Sequence, residues 1–265
     1  MNYKSPIAWV GGKYRLAEKI INLFPEHQLY VEVFGGAGHV LFRKPPSAAE
    51  IYNDLNRSLV CFFSAVKDKS KCDTLYDKLT AAPYSRDIFN QCLYNLNLET
   101  ISDIERAYCF AVVNKQSFGG LMETWGVDMS SNKTALSFAN MKESLTQACE
   151  RLTTVQLECK DYRYILNRYD RETTLFYLDP PYTLDTRSSR KLYKHEMNNN
   201  DHVELVDMLL QLKGKAILSG YDTPIYDRLV DAGWEKIAMG DIAVTLNKKI
   251  NEKRTRKQEY VWCRV

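Results

Sequence analysis

Little in this chain invites a metal or a disulfide framework. Its seven cysteines are an odd number, none belongs to a C-x-x-C pair, and histidine occurs only four times. A structural zinc site needs cysteine and histidine at short spacing, and small oxidised scaffolds need paired cysteines. Neither class fits, so no metal is expected and a reduced, cytoplasmic chain is the reading. Long apolar runs are missing too. None approaches the roughly 18 residues of a membrane span, and the opening MNYKSPIAWVGGKYRL has no apolar stretch of the signal-peptide kind; no membrane partner is expected. Glycine (12) and proline (8) are scarce among 265 residues and 45% are hydrophobic, which excludes collagen-like and disordered classes. Nor is there a large charge surplus. The net charge is +3, but the segment 248–257 carries six lysines and arginines against one glutamate, and without it the balance turns negative.

The length suits one large α/β domain or a core with one inserted lobe. Leu16, Ile20 and Leu23 fall at helical spacing, so a helix is predicted over Lys13–Leu23. LYVEVF (29–34) reads as a strand that stops at a glycine turn, Gly35 to Gly38, before the helical HVLFRK. A strand over Glu50–Asn53 then delivers Asp54, and a helix is expected from Leu55 to Lys67. From 68 to 157 strands are hard to find. That stretch is read as an inserted, mostly helical lobe with an irregular loop or hairpin around NKQSFGGLMETWGVDMSSNKTALS. Strand signals return at Val155–Cys159, Thr174–Leu178, Lys215–Ser219 and Glu259–Val265, with Val203, Val206 and Leu210 marking a helix. Strands alternating with helices on both sides of an insertion predict a doubly wound, mostly parallel sheet. Residues 1–67 and 158–265 would form it.

The sharpest chemical signal is Asp179, Pro180, Pro181 and Tyr182, directly after the apolar strand TLFYL. In an open α/β sheet, ligands bind beyond the carboxyl ends of the strands. An aromatic exocyclic amine is a poor nucleophile because its lone pair is delocalised into the ring. Accepting its two N–H hydrogens on the Asp179 carboxylate and the Pro180 carbonyl would favour a pyramidal nitrogen. The prolines stiffen that acceptor and offer no competing N–H, and Tyr182 supplies a ring on which an extruded base could stack. The same tetrapeptide can also be a plain turn after a strand. Asp54 lies 20 residues beyond Phe34, the distance at which Rossmann-like sheets place a ribose-binding carboxylate. Neither phosphate-cradling glycine motif is complete, which points to a nucleoside cofactor lacking a diphosphate, such as S-adenosylmethionine.

These motifs together resemble the Dam-like, D12 class (α-group) of adenine-N6 DNA methyltransferases. Trp9-Val10-Gly11-Gly12-Lys13 resembles that family's W-x-G-G-K, and Glu32 to Gly38 resembles its E-P-F-x-G-x-G. Asn53-Asp54-Leu55-Asn56 is similar to its D-x-N, Lys160-Asp161-Tyr162 to its acidic-plus-aromatic pair, and Asp179 to Tyr182 to its catalytic tetrapeptide. The resemblance implies a methyltransferase-type Rossmann-like fold, S-adenosylmethionine as cofactor, double-stranded DNA as partner and site-specific methylation of adenine at N6. It places Trp9 and Lys13 near the methionine end of the cofactor and Asp54 on its ribose. Glu32 would serve its polar groups, Phe34, Gly36 and Gly38 its floor, and Asp161 and Tyr162 its adenine. The inserted lobe, 68–157, would be the target-recognition domain, and a restriction partner or a phage source would suit such an enzyme. Asn114, Lys115, Gln116 and Ser117 are candidate DNA contacts there, although Phe118 stands where, by count, the family carries a guanine-reading arginine. Lys248, Lys249, Lys253, Arg254, Arg256 and Lys257 are candidate phosphate contacts. Cytosine-N4 or RNA methylation would use the same two acceptors, and a DNA-binding regulator without turnover is the reading from another class.

Overall fold

A computed structural model describes residues 3–9, 11–127, 129, 131–183, 196–243 and 256–265. Its sheet consists of β1 (Leu29–Glu32), β2 (Ala49–Asn53), β3 (Gln156–Glu158), β4 (Thr174–Leu178), β5 (Lys215–Tyr221), β6 (Glu235–Ala243) and β7 (Arg256–Arg264), in the order β3-β2-β1-β4-β5-β7-β6. The first five strands pair in parallel, whereas β7 runs antiparallel between β5 and β6.

Alternate residues of the strands feed two cores. Tyr30, Tyr52, Leu175, Tyr177, Ile217 and Val261 face one side; Val31, Ile51, Phe176, Leu178, Leu218 and Trp262 face the other. Burial on both faces explains why TLFYL reads as a continuous apolar run. On the first side lie α1 (Ala17–Ile21), α2 (His39–Arg43) and α3 (Arg57–Lys67), with α4 (Lys69–Ala81), α5 (Arg86–Asn95), α6 (Asp103–Gln116), α7 (Lys133–Ala139) and α8 (Met141–Leu152) beyond them. The second side is covered by α9 (Tyr162–Tyr169), α10 (Asn199–Gln211) and α11 (Pro224–Asp231). This is the expected doubly wound α/β architecture.

Residues 68–157 are mostly helical, and side-chain oxygens of Asp68, Ser85 and Ser102 cap α4, α5 and α6. Their core is continuous with that of the sheet: Phe110 of α6 packs on Phe62 of α3 at 5.6 Å between ring centroids. A buried ion cluster pins the same helices down. Arg151 of α8 holds both carboxylate oxygens of Glu50 on β2 (2.6 and 2.8 Å) and donates to the carbonyl of Leu41, while Lys44 reaches Glu50 at 2.5 Å.

Two elements differ from expectation. The helix predicted over Lys13–Leu23 is regular only over Ala17–Ile21, because Lys13 turns inward and the residues after it form turns. Within α10, Val203 is exposed and Leu210 half-buried, while His202, Leu205, Val206 and Leu209 take the inner face.

Candidate active site

The strand order reverses between β1 and β4, and a cavity of about 600 Å³ opens at the carboxyl ends of these two neighbours. A crevice at such a switch point is where open α/β sheets hold ligands. Trp9, Lys13, Glu32, Phe34, Gly36, Gly38, Asp54, Asp161 and Tyr162 all line it, as do Asp179 and Pro181. Residues separated by up to 172 positions in sequence are thus brought to one wall system.

Short polar contacts build those walls. Asn53, buried at the end of β2, donates to the carbonyls of Val33 and Lys160 and accepts from the Lys160 amide, which sets the loop carrying Asp161 beside the end of β1. Asp54 next to it accepts the Gly36 amide at 2.9 Å and the Asn56 amide at 2.7 Å, closing the glycine turn onto β2. Gly36 has φ +49°, and a Cβ there would lie 2.8 Å from the indole ring of Trp9. Only glycine allows both that backbone conformation and that approach. Phe34 and Tyr162 pack at 5.7 Å, and Arg163 covers the Tyr162 ring while pairing with Asp161, Asp201 and Glu204.

Beyond the end of β4 the polar groups are densest. The buried ammonium of Lys13 lies 2.5 Å from Asp179 Oδ1 and 2.7 Å from the Tyr182 hydroxyl, and 3.3 Å from Glu259 on β7. Tyr182 in turn donates to Glu259 at 3.1 Å, and its ring lies on Tyr221 with centroids 4.2 Å apart. Burial opposes the charge on Lys13, but Asp179 and Glu259 outweigh it and hold the ammonium above its ordinary pKa. Asp179 is pushed up to about 6 by burial, with Lys13 pulling it down and Glu259 adding to the rise. Glu32 accepts from the Tyr30 hydroxyl and the Leu41 amide, yet burial raises it to about 8. A cationic group beside it would restore its charge.

For three of the DNA-contact candidates the structure gives a different role. Asn114 accepts the amide of Ala8 and donates to its carbonyl, Gln116 bonds the backbone of Pro83 and Ser85, and the Ser117 hydroxyl donates to Asn114 O. All three are buried. These three side chains face the interior, so they must find partners within the protein; Asn114 thereby fixes the segment leading to Trp9. Lys115 is half-buried, and burial lowers its pKa. The residues after it form the anticipated irregular hairpin, closed by a bridge between Ser117 and Trp125. Phe118 at its turn is 59% exposed, and Gly120, Leu121, Met122 and Glu123 border the cavity. Of the basic segment, Lys248, Lys249, Lys253 and Arg254 lie outside the described residues; Arg256 opens β7, and Lys257 sits 5.5 Å from the ring centre of Tyr221.

Sequence reasoning passed over Glu259 and Tyr221. The one available signal was a carboxylate opening EYVWCRV, a mostly apolar run in which a charge needs a buried partner.

Comparison with known proteins agrees with this geometry. The family model described as D12 class N6 adenine-specific DNA methyltransferase matches residues 9–241. The chain is 25% identical to the type II methyltransferase M.MjaIII of Methanocaldococcus jannaschii, over 87% of this chain and 89% of that protein. It is 26% identical to the DNA adenine methylase of Salmonella typhi, over 83% and 81%. With the DNA N-6-adenine-methyltransferase of Escherichia phage P1 it shares 23% identity over 78% of this chain, which spans 28% of that protein.

Proposed function

Because the chain belongs to the D12 class of N6 adenine-specific DNA methyltransferases, we propose that it moves the methyl group of S-adenosylmethionine to N6 of an adenine turned out of double-stranded DNA. The observation that carries this reading is the cavity at the switch point, where Asp179 stands beside the glycine turn and the acidic residues at the ends of β1 and β2. The residues suit the cofactor. A glycine cradle admits close approach, Asp54 and Asp161 offer acceptors for a nucleoside, and Glu32 is a carboxylic acid that a cation would ionise. When bound, S-adenosylmethionine supplies a methyl group on a positive sulfur.

The protein's part is orientation and hydrogen-bond acceptance. Asp179 and the Pro180 carbonyl would take the two hydrogens of the amine, leaving its lone pair directed at the methyl group. Tyr182, backed by Tyr221, would support the base, and Asp179 would accept the proton lost after transfer. Pro180 and Pro181 keep the acceptors rigid. The helical segment 68–157, whose hairpin turn reaches the cavity border, would select the DNA sequence.

Incubation with labelled S-adenosylmethionine and mixed duplex DNA tests the reading. The nucleoside digest should contain N6-methyladenine, and the methylated adenines should share a surrounding sequence. Label in cytosine or RNA would replace the adenine reading, and scattered adenines would remove the recognition role of 68–157. Since protonated Asp179 no longer accepts freely, turnover should fall as pH drops through about 6. A rate that is flat across that region would count against Asp179 as acceptor.

The glycine turn gives a separate expectation. Gly36→Ala forces a side chain into positive φ and against Trp9, so S-adenosylmethionine should bind roughly 10- to 100-fold more weakly in a calorimetric titration. Unchanged affinity would move the cofactor away from this turn.

A further inference from the structure

Glu259 is fully buried, lies beyond the residues matched by the family model, and does not line the cavity. A buried carboxylate is retained only where cations and donors compensate it. Its compensation is the machinery of the site: Tyr182 donates its hydroxyl to Glu259, and the Lys13 ammonium stands 3.3 Å from it while contacting Asp179 at 2.5 Å. One ammonium is therefore shared between two carboxylates, one of which is the acceptor assigned to the target amine.

That sharing creates a competition. An amine docking on Asp179 needs the carboxylate that Lys13 already engages, and an ammonium drawn away from Asp179 inside the protein needs another negative charge. We propose that Glu259 is a positioning residue for methyl transfer, retaining Lys13 while the amine docks on Asp179 and fixing Tyr182 through its hydroxyl. The role rests on the methyl-transfer reading above. β7 supplies Glu259 to this cluster from the position paired with Tyr221 of β5.

Among the described residues, the charged and titratable groups around Asp179 are Lys13 before α1, Glu32 on β1, Tyr177 on β4, Tyr182 on the Lys13 ammonium, Tyr221 on β5, Tyr226 on α11 and Glu259 on β7. Among them Glu259 is a carboxylate that raises Asp179. Removing its charge leaves Lys13 paired with Asp179 alone, which both tightens that pair and lowers the pH at which Asp179 ionises.

Steady-state kinetics of the full-length Glu259→Gln chain against pH test this. The kcat should fall roughly tenfold or more, while KM for S-adenosylmethionine stays within about twofold. The acid limb should move to lower pH, a shift that a purely structural role would not produce. Glu259→Asp keeps the charge but withdraws it, so it should retain the wild-type limb with a reduced kcat, and it serves if the glutamine chain does not fold. Wild-type kcat and limb in the folded variants would overturn the proposal, as would lowered thermal stability with an unmoved limb. Wild-type protein that transfers no methyl group would overturn the methyl-transfer reading and this role together; active wild type with an indifferent Glu259→Gln overturns this role alone.

Discussion

Asp179→Ala is expected to lower methyl transfer to DNA by roughly 10²- to 10⁴-fold, while S-adenosylmethionine still binds. The substitution removes the carboxylate that would accept an N–H of the target amine and, later, its proton. Its side chain is 18% exposed at the cavity wall, so little packing is lost with it. Lys13 is not stranded, because Glu259 and the Tyr182 hydroxyl remain within reach of the ammonium. The fold and the glycine turn should therefore survive. Single-turnover transfer and equilibrium binding of the cofactor, measured on the same preparation, separate the two effects. Near-normal turnover would sink the mechanism, whereas lost binding would show that Asp179 serves the cofactor instead.

Arg151→Met should cost roughly 3 kcal/mol of stability, the lower end of the range for breaking a buried ion pair. Glu50 would lose both charged donors of the guanidinium, and the Leu41 carbonyl would lose its partner. Lys44 still reaches Glu50, which keeps the loss from being larger. At present Arg151 and Lys44 outweigh burial and hold the Glu50 carboxyl below its ordinary value. The change should appear as a lower denaturant midpoint. Adding Glu50→Gln should deepen the loss, because the buried Lys44 ammonium is then left without its carboxylate. An unchanged midpoint would mean that α8 is held on the sheet by its apolar face alone.

How much of this could be read in the sequence depended on whether a signal was local. Thr174–Leu178 announced itself because burial on both faces leaves four successive apolar residues after Thr174, and Asp179 follows from where that strand ends. Asn53 and Asp54 were legible for the same reason. β6 was not, since Glu235 and Lys236 open it and Gly240, at φ +106°, interrupts its alternation with a bulge. α11 begins at Pro224, and its short apolar stripe passed unnoticed. The inward turn of Asn114, Gln116 and Ser117 is set by what encloses α6, and nothing within that helix displays it. The link from Glu259 to Lys13 spans 246 positions; no local pattern carries it.

The place of β7 between β5 and β6 also sets an order of assembly. Every other strand of the sheet precedes it in the chain, so during synthesis Lys13 and Asp179 can meet before Glu259 has been made. β6 can join the sheet only through β7, since β5 offers it no direct pairing in the finished fold. Of the described strands β7 is thus made after the others, and it brings Glu259 to an ion pair of Lys13 and Asp179 that the earlier residues can already form.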